Sequence, residues 1–277
     1  MNSTFTPPSN ASLLTITASD QQMLSTTVFG LLCGGTLILL LGLVVFLKFA
    51  APSSLYGYKN TLLCMLLILR ASHYAAAAVD TIMGSITSKF ARYFLLSATE
   101  CLYLWFMWVR SQDIIGLHAS KSVIRFALTV LVLTILDSLT SALVVFLPLS
   151  PDASSLCVNV TTALGGLGLC VVDCVLMYAC LQQILEKTQE ITESKGQDAR
   201  GARYLPILAK YGLASTLSSM ASLVFYSAYT VLQMNPQLGN SGLSSLMDLA
   251  ANVAMFFIGL CLVAQKVKLV MAWRDLD

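Results

Sequence analysis

Residues 24–48 read LSTTVFGLLCGGTLILLLGLVVFLK and carry no charged side chain before Lys48. As a helix rising ~1.5 Å per residue, this stretch outreaches the ~30 Å hydrocarbon core of a bilayer. It has no polar face to offer water, and a helix that is apolar all round belongs in a large core or in a membrane. Six more blocks of similar length follow, at about 61–84, 92–115, 124–147, 158–184, 206–233 and 243–266. Charged residues make up 11% of the 277-residue chain, where a soluble domain carries about a quarter, and the mean hydropathy is +0.77. The expectation is an all-α polytopic membrane protein. A polar tail over 1–23 precedes a seven-transmembrane-helix bundle over 24–266, and a short tail over 267–277 ends the chain.

Proline and charge sharpen that reading. Pro7, Pro8, Pro52, Pro148, Pro151, Pro206 and Pro236 all fall outside the blocks or at their ends, where no hydrogen-bond ladder in lipid is broken. With the N-terminus outside, the cytoplasmic stretches carry 13 of the 16 Lys and Arg residues, among them Arg110, Arg200 and Arg203. The outer side carries Lys89 and Arg92, and Arg70 falls within a span. Such a bias orients a chain, and an odd number of spans then puts the C-terminus in the cytoplasm. Glycosylation acceptors at Asn2, Asn10 and Asn159 point the same way, with Asn159 close to the membrane. The expected location is the plasma membrane, as a multi-pass protein.

Ionisable residues inside the blocks hold the functional information. Arg70 and His73 fall near the middle of the second block, Glu100 in the third, Asp137 in the fourth and Asp173 in the fifth. Asp80 and Asp248 sit nearer the outer ends of the second and seventh. Each charge costs roughly 2.5–3.5 kcal/mol at the bilayer centre, so these residues face the bundle interior. Arg70 is the one strong cation among them, which predicts a pair with Glu100 or Asp173. The remaining acids are expected to bind hydroxyls or line an outer vestibule for a ligand or an ion. Such pairs also simply hold helices together.

Other features are weaker. Tyr103, Trp105, Phe106 and Trp108 read as packing and interface anchoring. Gly30 and Gly34, and Ala75 to Ala78, read as small-residue packing seams. Of eight cysteines, all but Cys157 lie in apolar blocks and read as small apolar residues. With two histidines and no Cys/His cluster, no metal or cofactor is expected. No nucleophile–base constellation suggests an enzyme, and no basic run suggests nucleic acid.

Seven blocks, acceptor sites in an outer N-terminal tail and a charged loop over 185–205 resemble the heptahelical receptors that couple to G proteins. The resemblance is one of topology over the whole chain. Val109-Arg110-Ser111 stands where the rhodopsin-like class has Asp/Glu-Arg-Tyr, and neither Asn-Pro-x-x-Tyr nor Cys-Trp-x-Pro occurs. A group divergent from that class, of the kind found in fungi and protists, fits better. The resemblance implies an extracellular ligand and a cytosolic partner such as a heterotrimeric G protein, contacted at Arg110. Arg200 and Arg203 are the further partner contacts that the basic inner rim suggests. The alternative is a proton- or cation-coupled transporter or channel that uses the intramembrane acids. A retinal protein is excluded, because residues 243–265 hold no lysine for a Schiff base.

Overall fold

A computed structural model describes residues 18–50, 57–118, 121–144, 151–193, 199–234 and 242–274; side chains at 111–118, 183–193 and 199–205, and at scattered other positions, lie outside that description. These residues form seven helices and no strand: α1 (Ala18–Ala50), α2 (Tyr58–Met83), α3 (Ile86–His118), α4 (Lys121–Val144), α5 (Pro151–Glu193), α6 (Ala199–Met234) and α7 (Gly242–Arg274). Five of them contain stretches long and apolar enough to cross a membrane: Ser19–Ala50, Tyr58–Met83, Cys157–Val175, Pro206–Met234 and Gly242–Ala272. The chain is thus an all-α, integral-membrane type of protein. The seven-block reading reaches further than these five. Of the other two helices, α3 carries Arg92, Glu100 and Arg110 among its apolar residues, and several α4 side chains lie outside the described set.

Most helices overrun the apolar blocks. α3 starts at Ile86 instead of 92, and α5 runs over Pro151–Glu193 instead of 158–184. Hydropathy marks only the length that lipid can accept. The helical hydrogen-bond ladder continues into polar flanks, because Glu, Lys, Gln and Arg are themselves good helix formers. The same overrun corrects the reading of Pro206. It stands inside α6, although it opens the apolar stretch of that helix. Pro151 instead occupies the first position of α5, where its missing N–H costs nothing.

Consecutive helices pack in sequence from α1 to α7, α1 meets α7 to close the ring, and α3 also reaches α5. Polarity is sorted inside out. Leu31, Ile38, Leu41 and Phe49 of α1, Leu133, Leu136 and Leu143 of α4, and Val224 and Val231 of α6 all point outward and are well exposed. Arg70, His73, Glu100, Asp173 and Asn252 are buried. Outward-facing hydroxyls are satisfied locally. Thr27, Thr129 and Thr140 each donate to the carbonyl four residues back. Such back-bonding satisfies a hydroxyl without help from solvent. One apolar cluster, around Leu47, Leu63, Leu67, Leu104 and Leu262, fills the end of the bundle where α2 begins. A smaller one, around Phe29, Leu32, Tyr74 and Leu249, lies toward the other end.

Close approach occurs where small residues face a neighbouring helix, though not at the expected seam. A Cβ added at Gly30 or Gly34 would meet nothing within 4 Å. Gly35 instead faces the Phe256 ring, and a Cβ at Gly168 of α5 would collide with the Thr134 side chain of α4. Ala77 is fully buried on α2. Gly168→Val is expected to destabilise the protein by about 1–3 kcal/mol through overpacking, read as a lower melting temperature in detergent. Thr134→Ala in the same chain restores part of the loss. Gly30→Ala, with open space around it, is expected to hold or slightly raise the melting temperature.

Candidate functional site

A two-residue turn builds one end of the site. α2 stops at Gly84, whose φ of 57° is left-handed and whose N–H bonds the Asp80 carbonyl. A residue without a Cβ adopts that conformation freely. Ser85 then caps α3 by accepting the Ser88 N–H on its Oγ at 3.1 Å. This reversal sets Asp80 of α2 beside the first turns of α3. Ser88 Oγ donates to Asp80 Oδ1 at 2.9 Å.

Arg92 follows one turn later and enters the bundle. Its guanidinium donates to Asp248 Oδ2 of α7 at 2.8 Å and lies 3.6 Å from Asp80 Oδ2. It also sits over the Phe29 ring of α1, 5.6 Å from the centroid. One side chain of α3 therefore ties α1, α2 and α7 together. The expectation of a surface charge at Arg92 is corrected here. Because α3 starts six residues before its apolar block, Arg92 lies about 9 Å along the helix and faces inward. Asp80 and Asp248, expected at an open vestibule, hold this cation.

The polar chain continues to His73. The Asn252 amide donates from Nδ2 to the Asp248 carbonyl at 2.9 Å and to its Oδ1 at 3.2 Å. That orients Asn252 Oδ1 toward His73 Nε2, 3.3 Å away. His73 Nδ1 lies 3.2 Å from the Arg92 carbonyl oxygen. Both ring nitrogens thus face acceptors. A neutral imidazole has one N–H and serves one of them, whereas an imidazolium serves both. Tyr74, next in the chain, donates its hydroxyl to the Asn252 carbonyl at 3.1 Å.

A second polar group lies deeper. Asp173 of α5 is fully buried. Tyr103 of α3 donates its hydroxyl to the Asp173 carboxyl, at 2.9 Å from Oδ2 and 3.1 Å from Oδ1, and Ser219 of α6 donates to Oδ2 at 2.8 Å. Ser215 Oγ stands 3.5 Å from the Tyr103 hydroxyl. Asp173 thereby clamps α3, α5 and α6. The expected alternative of an Arg70–Asp173 pair is replaced by this hydroxyl clamp.

Arg70 of α2 points into a cavity between these two groups, donating from Nη1 to the Met255 sulfur at 3.0 Å. Glu100, Tyr103, Ser219, Ser222 and Tyr226 line the same cavity. A thioether is a weak acceptor, while a guanidinium has five N–H donors. The cavity measures about 40 Å³. That is room for roughly three waters, the natural partners for the remaining donors.

The structure thus unites six of the seven intramembrane candidates into two linked groups, with Asp80, Asp248 and His73 in one and Arg70, Glu100 and Asp173 around the other. Asp137 stays apart on α4, half-buried against α5 at Gly165. Arg110 is half-buried near the far end of α3. The side chains of Arg200 and Arg203, and Asn2 and Asn10 altogether, lie outside the described residues. Asn159 is 3% exposed and accepts from the Tyr226 hydroxyl at 3.4 Å, an inward position that leaves no space for a glycan. Sequence reasoning missed Arg92, Asn252, Ser219 and Met255 and read Tyr103 as packing. Only Arg92 left a signal, as a cation at the very edge of an apolar block.

Among the described residues no group of His, Cys, Asp and Glu could hold a metal ion. No family model, curated protein or solved structure matches the chain.

Arg92→Met strands two carboxylates. Removing one partner of a buried ion pair costs about 3–5 kcal/mol, and partial exposure of this pair places the expected loss at or below the lower bound. Adding Asp80→Asn and Asp248→Asn to Arg92→Met should recover part of the melting temperature. A triple variant no more stable than Arg92→Met alone would show that the pairing is energetically idle.

Proposed function

We propose that the chain is a seven-transmembrane receptor-like protein in the plasma membrane. Its N-terminus is outside and its C-terminus cytoplasmic; it senses an extracellular ligand and signals to a cytosolic partner such as a heterotrimeric G protein. The observation that carries this reading is the length of two adjacent helices. α5 has 43 residues and α6 has 36, about 64 and 54 Å of helix, where a bilayer needs about 30 Å. In this orientation part of that excess, residues 185–193 of α5 and 199–205 of α6, lies on the cytosolic side, a lever that a partner can grip. The Asp173 clamp binds α5 and α6 to α3 within the bundle. The Arg92 group binds α1, α2 and α7 to α3 at the outer end. A ligand that disturbs one cluster shifts the helices joined by the other, which is the two-state element that signalling requires. The topological resemblance to heptahelical receptors agrees.

A second reading, a proton- or cation-coupled transporter or channel, is favoured by one observation. His73, Asn252, Asp248 and Arg92 form a continuous chain of polar groups inside the bundle, the kind of arrangement that lines ion paths.

Two measurements separate these readings. Expressed with a panel of G proteins, the receptor raises guanine-nucleotide exchange, and Arg110→Ala lowers it at unchanged surface expression. The transporter instead moves protons or cations in proteoliposomes, with flux reduced by Glu100→Gln, Asp173→Asn or His73→Gln. Epitope tags test the frame of both: the N-terminal tag is expected to be labelled on intact cells and the C-terminal tag only after permeabilisation. Both tags in one compartment would overturn it.

A further inference from the structure

The cavity that receives Arg70 has two charged walls that do not meet. Arg70 of α2 and Glu100 of α3 both line it, and both are more than nine-tenths buried. Among the described residues, no ion pair within 4 Å joins them. Arg70 donates instead to the Met255 thioether, a weak acceptor. We infer that this cavity binds the zwitterionic head group of a small α-amino acid, with the carboxylate on Arg70 and the ammonium on Glu100.

Charge balances in such a complex. A buried charge is costly unless it is paired. A simple anion on Arg70 would face Glu100, and a simple cation on Glu100 would face Arg70. A zwitterion answers both and adds no net charge. Glu100 already has another partner, but a carboxylate offers about four acceptor sites and keeps capacity for an ammonium. Asp173 does not line the cavity, and Tyr103 and Ser219 hold its carboxyl. Charged residues whose side chains lie outside the description stand clear of this depth. The nearest in sequence, Asp113 of α3 and Asp152 of α5, are each ten residues from a lining position, about 15 Å along the helix.

A hydroxyl without other duties completes the wall. Thr162 of α5 is 6% exposed, and its Oγ1, unlike that of Thr161, meets no hydrogen-bond partner. The Tyr226 hydroxyl beside it gives its proton to Asn159. An orphaned buried hydroxyl is destabilising, and an occupant of the cavity satisfies it. Ser222 of α6 lines the same space.

Size sets the ligand class. The cavity of about 40 Å³ has room for roughly three waters, which accommodates a compact head group and little side chain. Met255 and Tyr226 also line a smaller cavity beside Arg92 and Asp248, so the two spaces share a wall. The flexible Met255 side chain is the movable part of that wall, and the way in from the Arg92 end. In the orientation proposed above this is the outer end. The inference thereby deepens the receptor reading by naming a class of extracellular ligand.

The test uses the full chain in nanodiscs, titrated with glycine and followed by melting temperature, which a ligand of the folded state raises. Trimethylglycine, with the same charges but no N–H, corrects for the general effect of osmolytes. Glycine is expected to bind. Acetate and methylammonium, each carrying half of the head group, are expected to bind at least about tenfold more weakly, the scale of a lost hydrogen bond between charged groups. Glu100→Gln should bring glycine down to the acetate level and leave acetate no weaker, a loss of discrimination that general destabilisation does not produce. Arg70→Gln should abolish both. If that variant does not fold, Thr162→Val with Ser222→Ala carries the test, with a severalfold loss for glycine. Asp137→Asn, which removes a carboxyl away from the cavity, leaves binding unchanged. Acetate binding as tightly as glycine, glycine binding undiminished in Glu100→Gln, or no glycine effect beyond that of trimethylglycine would overturn the site. Binding is read without a G protein. Its failure strikes the site alone, whereas binding without glycine-stimulated nucleotide exchange strikes the receptor reading alone.

Discussion

Hydrocarbon offers no hydrogen bond, and that absence organises the whole molecule. Every polar atom that enters the bilayer must find its partner within the protein. Hydroxyls on the outward faces fold back onto their own helices, as at Thr27, Thr129 and Thr140. Ionisable groups turn inward and meet there. The ionisable groups are therefore gathered in the interior beside two apolar clusters, and the exterior, with Ile38, Phe49 and Leu133, is apolar.

Within that frame the bundle is joined by two polar centres on α3. Arg92 gathers α1, α2 and α7, and Tyr103 reaches α5 and α6 through Asp173 and Ser219. Eleven positions, about three helical turns, separate Arg92 and Tyr103 on one rigid element. Glu100 lies between them and lines the cavity that receives Arg70. α3 is thus the axle of the bundle. Its unusual content of charge and aromatic hydroxyl is what its neighbours are built around, and also what makes it read as less apolar than they do.

The centres differ in chemistry. The Arg92 group is an ion cluster of Arg92, Asp80 and Asp248, adjoining the His73 imidazole. The Asp173 group is an acid held by hydroxyl donors. Between them a small cavity receives the Arg70 guanidinium.

Length and apolarity determined which stretches are helical, because a backbone in lipid has one economical way to satisfy itself, and twenty uncharged residues are legible in one dimension. The inward direction of Arg70, His73, Glu100 and Asp173 was legible for the same reason, since lipid admits no other. The partners were not. Whether Arg70 meets an acid or a thioether depends on the rotation and axial offset of α2 against α5 and α7, and hydropathy carries no information on either. The inward turn of Arg92 depended on where α3 starts, which Gly84 and Ser85 decide through a left-handed residue and a cap rather than through hydrophobicity. The close contact at Gly168 and its absence at Gly30 likewise required knowing which helix faces which. One-dimensional chemistry states what must be buried, and three-dimensional packing alone chooses the company it keeps.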